Sequence, residues 1–267
     1  MVEPSGILTL LTDFGLQDPY VGVVKGVLYT FAPQIQIIDL THEIEPQNIF
    51  SGAWSLFWSY TYFPKGTVHL AVIDPGVGTE RSILLAKTKD YYFIAPDNGI
   101  LAPILDTHEH QLFHAYREWG LEHQSTTFHG RDLFAPLAGR LITTQKIQEL
   151  GAPAKDYVKL PHFFPEFQKN KILGLLAHVD RFGNLITNIP FEKLPSPPFE
   201  IHIKDYKMVV HHIFKSYHEG KGKDFFGLKS SNGCLEIASY HRNLAKNWNL
   251  KGGETIEIPL KAEFKEK

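Results

Sequence analysis

Through about residue 150 the chain alternates short apolar runs with amphipathic stretches, and that alternation restricts its fold more than any other feature. Residues 6–11, Gly-Ile-Leu-Thr-Leu-Leu, suit a buried strand and end at the turn-forming Thr12-Asp13-Phe-Gly15. Residues 20–31 follow with helical spacing; Asp18 is placed to cap that helix, Pro19 to occupy its first position and Pro33 to stop it. Residues 35–40 read as a second strand leading into Thr41-His-Glu-Ile-Glu-Pro46, and 47–62 as a helix with Ile49, Ala53, Leu56, Phe57 and Tyr60 along one face. A third strand, 67–73, delivers Asp74 to Pro75-Gly-Val-Gly78; strands at 82–88, 91–95 and 111–116 come after it, with a helix at 100–105 and another starting near Arg131. Strands interleaved with helices predict an α/β domain built on a mainly parallel sheet with helices on its faces.

The pattern changes across 161–170, which holds two prolines and several aromatics without a clear period. A domain boundary is expected there, between an N-terminal α/β domain at 1–165 and a smaller domain at 171–267. The second part contains short strand-like runs at 172–179, 185–189, 199–203, 207–211, 234–239 and 255–259, and one short helix at 243–248. Turn residues separate these runs, so this domain is expected to be mostly antiparallel and β-barrel-like.

Composition narrows the class of function. A net charge of -2 over 267 residues, without a basic stripe, gives no reason to expect nucleic acid, which leaves small-molecule chemistry. The single cysteine, Cys234, excludes an internal disulfide and a cysteine-based zinc cage, and it suits a reducing compartment. The first residues lack a basic leader, and no apolar run reaches the roughly 20 residues of a membrane span. A cytoplasmic location is expected.

Asp74 sits where an open α/β sheet binds ligands, at the carboxyl end of a strand, with Arg81 seven residues on. It reads either as part of a site or as a surface turn with an incidental ion pair. Asp13 has the matching position on the first strand, and parallel strands would bring the two carboxylates to one edge. Such a pair can grip vicinal hydroxyls, although Asp13 is also an ordinary turn former. His129, in Phe128-His-Gly-Arg-Asp132, lies at a helix start, where an imidazole stays neutral and reads either as a base or oriented donor or as one more ordinary histidine among the fourteen. In the second domain, Asp180-Arg-Phe182-Gly-Asn184 is either a hairpin turn or a loop in which Asp180 binds an amine, Phe182 stacks on a base and Asn184 reads a purine edge. Ser231-Asn-Gly233, followed by Leu235-Glu236-Ile-Ala238, is likewise a turn with a strand or a small polar binding loop. His211-His212 and His108-Glu-His110 lack helical zinc spacing, so no metal site is expected.

Taken in order, Thr12-Asp13-Phe-Gly15, Asp74-Pro-Gly-Val-Gly78 with Arg81, Ala95-Pro-Asp-Asn-Gly99, Phe128-His-Gly-Arg-Asp132, Asp180-Arg-Phe-Gly-Asn184 and Ser231-Asn-Gly233 with Leu235-Glu-Ile-Ala238 resemble the S-adenosyl-L-methionine hydroxide adenosyltransferases. These hydrolases are related to the bacterial fluorinase and chlorinase, and the resemblance runs from Leu8 to Ile258. It implies an N-terminal α/β domain, a C-terminal β-barrel-like domain, and a homotrimer with sites between subunits. It also implies the reaction of S-adenosyl-L-methionine with water to give adenosine and L-methionine, with no cofactor. Asp74, Arg81 and His129 carry over as the catalytic set and Asp13 as the ribose-binding carboxylate. Asp180, Phe182, Asn184 and Ser231 match positions that contact the methionine or adenine portion, and Glu236 is added to them.

Departures from the halogenating relatives point the same way: Asp74 stands where they have tyrosine, Gly130 where they have a halide-holding serine and Gln47 where they have tryptophan. Asn232 replaces their carboxylate-binding arginine. A carboxylate beside a halide pocket repels the anion, so water is the expected nucleophile. Asp74 and His129 are expected to orient it, Arg81 to fix Asp74, and His129 to accept the proton, because imidazole is matched to neutral pH. The alternatives are a 5′-halogenase and a non-catalytic adenosine- or S-adenosylmethionine-binding protein.

Overall fold

The apolar run near the N-terminus forms the inner strand β1 (Ile7–Thr12) of a seven-stranded sheet in the computed structural model, which describes residues 2–260. Helix α1 (Tyr20–Phe31) leads to β2 (Gln36–Thr41), and α2 (Ile49–Ser59) to β3 (Val68–Val72). Then come β4 (Ile83–Thr88), β5 (Tyr92–Pro96), α3 (Ala102–Thr107), β6 (His110–Ala115), a π-helical turn (Gly130–Phe134), α4 (Ala135–Thr144) and β7 (Gly151–Pro153). Asp18 does not cap α1: Pro19 occupies the cap position and no side chain bonds there. Asn48 caps α2, its side chain accepting from Ser51 N.

The strand order is β2-β1-β3-β5-β4-β6-β7. The pairs β2 with β1, β1 with β3, and β3 with β5 are parallel, whereas β5 with β4, β4 with β6, and β6 with β7 are antiparallel. The expected mainly parallel sheet is therefore parallel only in the half that carries β1 and β3. The physical reason is loop length, since the short turn joining β4 to β5 permits only an antiparallel hairpin.

Alternation sets the two faces of this sheet. Leu8, Leu10, Leu70, Val72, Leu85 and Ile94 share a core with Val24, Leu28, Leu137 and Leu141 of α1 and α4. Ile73 packs on α2 on the other side, and His69 packs on Tyr60 just beyond that helix. Gly52 of α2 approaches so closely that an added Cβ would lie 2.9 Å from Ile73 Cδ1, which explains a glycine in mid-helix. His69 Nδ1 is 2.8 Å from Thr9 Oγ1, joining β3 to β1, and burial pushes this imidazole down to about 3, so it is neutral.

The connections make the site's location intelligible. The chain leaves β1 for β2 on one side, then crosses back over β1 to reach β3 on the other. The loops after β1 and β3 thus diverge, and a crevice opens at their carboxyl ends. The β1 to β3 register pairs Thr12 with Val72, so the residues just beyond these ends, Asp13 and Asp74, open on the same edge.

The first compact unit is Met1–Leu160 and the second Pro161–Lys267, a division slightly before the expected boundary. The segment after Pro161 belongs to the second unit because Asn188 Nδ2 donates to Phe163 O at 3.0 Å, and β8 (Glu166–Phe167) pairs with β9 (Lys171–Val179). The unit continues with β10 (Leu185–Pro190), β11 (Phe199–Ile203), β12 (Tyr206–Val210), β13 (Ile213–Phe214), β14 (Phe226–Lys229), β15 (Cys234–Ala238), α5 (Leu244–Asn247) and β16 (Thr255–Pro259). These strands form one nearly closed, barrel-like sheet, ordered β12-β11-β16-β9-β10-β15-β14-β13 and antiparallel except at β13 with β14. Its interior is apolar, with Leu176, Ile189, Ile201, Leu235, Ile237 and Ile256 fully buried. Among the described residues no helix is long and apolar enough to cross a membrane.

Candidate active site

Asp74 leaves β3 into two successive turns, with Val77 N donating to Asp74 O and Thr79 N to Gly76 O, each at 3.2 Å. These turns fold the chain back on itself. Gly78 has φ +80°, and a Cβ there would meet Thr126 O at 2.5 Å, so both backbone conformation and space demand glycine. The return brings Arg81 against Asp74: Nε donates to Oδ1 at 2.8 Å and to Oδ2 at 3.0 Å, and Nη2 also donates to Oδ2. The two side chains are 9% and 6% exposed, so the pair is shielded from water. The Arg81 guanidinium also lies 5.1 Å from the centre of the Phe134 ring, a cation–π contact.

Arg81 continues the chain of contacts, with Nη2 3.1 Å from His129 Nδ1. Arginine has no acceptor, so Nδ1 must supply the lone pair and the neutral ring carries its hydrogen on Nε2. His129 is 4% exposed and stands just before the π-helical turn. Burial lowers its pKa, with the charges of Arg81 and Arg117 adding to the effect and Asp74 and Asp132 opposing it. The imidazole is neutral at neutral pH, and its free N–H is a donor. The proton-acceptor role expected for His129 therefore conflicts with a lone pair already engaged by Arg81.

Asp74 and His129, though not Arg81, line a cavity of about 260 Å³ together with Asp13, Phe14, Gln47, Phe128 and their neighbours. Asp13 Oδ2 accepts from Gln47 N at 2.8 Å. A carboxylate has about four lone-pair sites, so Asp13 keeps capacity for a bound diol. The rings of Phe14 and Phe128 meet edge to face, and a Cβ at Gly130 would lie 3.1 Å from Phe14 and 3.4 Å from Phe128. A serine there would crowd the wall.

Supporting residues were less visible in sequence. Asn98 Nδ2 donates to Ile73 O at 2.8 Å, holding the peptide just before Asp74. Arg117 Nη2 donates to Thr79 O at 2.9 Å and Arg81 O at 3.3 Å, clamping the loop from outside. Pro96-Asp-Asn-Gly99 signalled a turn but not its partner, and nothing local marked Arg117. Asp132 is fully buried; burial pushes its carboxyl up, but hydrogen bonds from Arg131 and Ser125 N and the Arg131 charge hold it below the usual range.

In the second unit, Asp180, Phe182 and Asn184 share one turn. Asp180 Oδ1 accepts from Phe182 N at 2.9 Å and Asn184 N at 2.8 Å, and Oδ2 from Asn184 Nδ2 at 2.9 Å. Its carboxylate thus organises the loop, while Phe182 projects outward, 76% exposed. Ser231 is exposed in the 230–233 turn, where Ser230 makes the bonds, to Asn232 Oδ1 and to Cys234 O. Glu236 is buried on β15 and accepts from Tyr217 at 2.7 Å; burial raises its pKa, the Tyr217 bond opposes that, and the Asp180 charge reinforces it. Among the described residues no group of three or more His, Cys, Asp or Glu side chains is arranged to hold a metal ion.

Residues 8–151 match the SAM hydroxide adenosyltransferase N-terminal domain, and residues 174–257 the C-terminal domain of that family. An (R)-S-adenosyl-L-methionine hydrolase from Methanocaldococcus jannaschii is 34% identical over 264 residues, covering 94% of this chain and 95% of that protein. A fluorinase from Nocardia brasiliensis is more distant, 25% identical over 301 residues, covering 95% and 97% respectively. Among solved structures, an uncharacterized conserved protein from Thermotoga maritima superimposes with TM-score 0.86 at 34% identity, covering 94% of this chain and 99% of its own.

Proposed function

This chain belongs to the SAM hydroxide adenosyltransferase family, and on that footing we propose that it hydrolyses S-adenosyl-L-methionine to adenosine and L-methionine. The observation that carries the reading is that Asp74 and His129, bridged from behind by Arg81, line the same cavity as Asp13. Asp13 grips the ribose hydroxyls. A water held between the Asp74 carboxylate, as acceptor, and the His129 Nε2 hydrogen, as donor, attacks C5′ in line with the sulfonium. Positioning supplies a large part of the rate. As the C5′–O bond forms, the C5′–S bond breaks with its electron pair going to sulfur, which leaves as a neutral thioether. The water oxygen gains positive charge and its protons become strongly acidic. A weak base then suffices, so Asp74 takes the proton and passes it to solvent, while His129 orients. A sulfonium leaves without protonation or Lewis-acid help, so the reaction calls for no cofactor.

Asp180, Phe182, Asn184, Ser231 and Glu236 are assigned to the methionine and adenine portions. The assembly is taken as a homotrimer with sites between subunits, supported by the family resemblance. A cytoplasmic location is supported by a single, buried, free cysteine. The cavity presents two carboxylates, which disfavours halide as nucleophile. Incubation with S-adenosylmethionine, with and without chloride or fluoride, followed by nucleoside separation, tests the proposal. Equimolar adenosine and methionine are expected; 5′-halo-adenosine, or bound substrate that never turns over, would overturn it.

A further inference from the structure

His42 lies just beyond β2, is 3% exposed, and takes no part in the chemistry above. It nonetheless touches the chain on both sides of Asp13. Its Nδ1 is 2.8 Å from the hydroxyl of Thr12, the residue before Asp13, and its carbonyl accepts from Gly15 N, two residues after, at 2.8 Å. Thr12 Oγ1 also accepts from Phe14 N at 3.3 Å. Nε2 lies 3.0 Å from Asp39 Oδ1, and a carboxylate only accepts, so the ring hydrogen belongs on Nε2 and Nδ1 accepts from the Thr12 hydroxyl, whose oxygen still receives Phe14 N–H. The contact between Nε2 and Asp39 Oδ1 is an electrostatic one that ties the ring to the end of β2. Asp39 is held in turn by Lys25 at 2.6 Å. On the far side of the turn, Gln47 N fixes the Asp13 carboxylate itself.

We infer that His42 is a positioning residue for Asp13: through Thr12 and its own carbonyl it sets the turn that aims this carboxylate at a vicinal diol. The inference rests on the reading of Asp13 as the ribose-gripping group. A histidine that merely filled space would affect folding and every kinetic constant alike. One that aims Asp13 alters the grip on the nucleoside and leaves the Asp74 site intact.

The decisive measurement is adenosine affinity by calorimetry on the full chain, alongside KM and kcat for S-adenosylmethionine, for wild type, H42F, T12V, D13N and the double variants with D13N. Adenosine binding does not depend on turnover, so loss of this inference and loss of the hydrolase reading are separable. Expected is an approximately tenfold weaker adenosine Kd and higher KM in H42F and T12V, with kcat within about threefold of wild type. In the D13N background each should add less than about twofold, the mark of action through Asp13. H42N, whose amide can stand where Nδ1 stands, should recover most of the affinity. If H42F does not fold, T12V and H42N decide together: T12V removes the His42 bond along with the Phe14 N bond, whereas H42N leaves the Phe14 bond in place. Unchanged adenosine affinity in T12V, equal losses with and without D13N, or wild-type affinity in D13N itself would each overturn the inference.

Discussion

The turns after β1 and β3 leave neighbouring parallel strands at the same edge of one sheet, yet they handle their carboxylates in opposite ways. Asp74 is neutralised by a guanidinium, and both partners are almost completely withdrawn from water. Among the described residues, Asp13 is held by a single backbone N–H, with no cation beside it, at a half-buried position. A buried carboxylate needs a cation or several donors to remain ionised, and Arg81 supplies both. A partly solvated carboxylate does not, so Asp13 is left to meet the donors and positive charge of a ligand. The same local device, a strand ending in Asp, thus underlies the two roles proposed above, chemistry in one turn and recognition in the other.

That contrast can be broken by kinetics. The largest effect is expected from Asp74→Asn, which keeps the shape but removes the proton acceptor: single-turnover rate should fall about 10²- to 10⁴-fold with KM little changed. Asp13→Asn should do the reverse, raising KM about tenfold or more with a far smaller change in the chemical step. If both variants lost rate equally, the division of labour would be wrong. Arg81→Met leaves Asp74 buried without its cation and should cost about 3 kcal/mol in urea unfolding, a loss that Asp74→Asn in the same chain should partly restore. Arg117→Ala gives the smallest effect. Removing a positive neighbour favours the imidazolium of His129, so its pKa rises from its lowered value and the acid limb of kcat/KM moves to higher pH. Arg81, Asp74 and Asp132 remain around the ring in that variant, so the shift should be a fraction of a pH unit; an unmoved limb would remove His129 from the pH profile.

Much of the first unit was legible because its signals are local. The runs before Asp13 and Asp74 are apolar, β-branched in part and closed by turn residues, so each strand could be placed from its own sequence. The antiparallel half of the sheet was not legible, since strand direction is set by loop closure and partner choice rather than by the strand's own pattern. β14 went unseen: Phe226-Gly-Leu-Lys229 is four residues beside a charged loop, and it becomes a strand only by pairing with β15. Asp18 looked like a helix cap, but Pro19 occupies that position and leaves no side-chain bond.

The site divides along the same line. Sequence alone determined which groups are available: two strand-end carboxylates, an arginine seven residues beyond one of them, and a histidine at a helix start. These follow from chemistry that adjacent residues impose on one another. Only the tertiary structure decided which nitrogen of His129 is engaged, because that depends on Arg81 arriving from 48 residues away. The same holds for His42, brought to Thr12 across 30 residues by the pairing of β1 with β2. Hydrogen-bond direction is a property of contacts between distant segments: it leaves His129 with an N–H to donate in the proposed mechanism, and it underlies the inference that His42 braces Asp13.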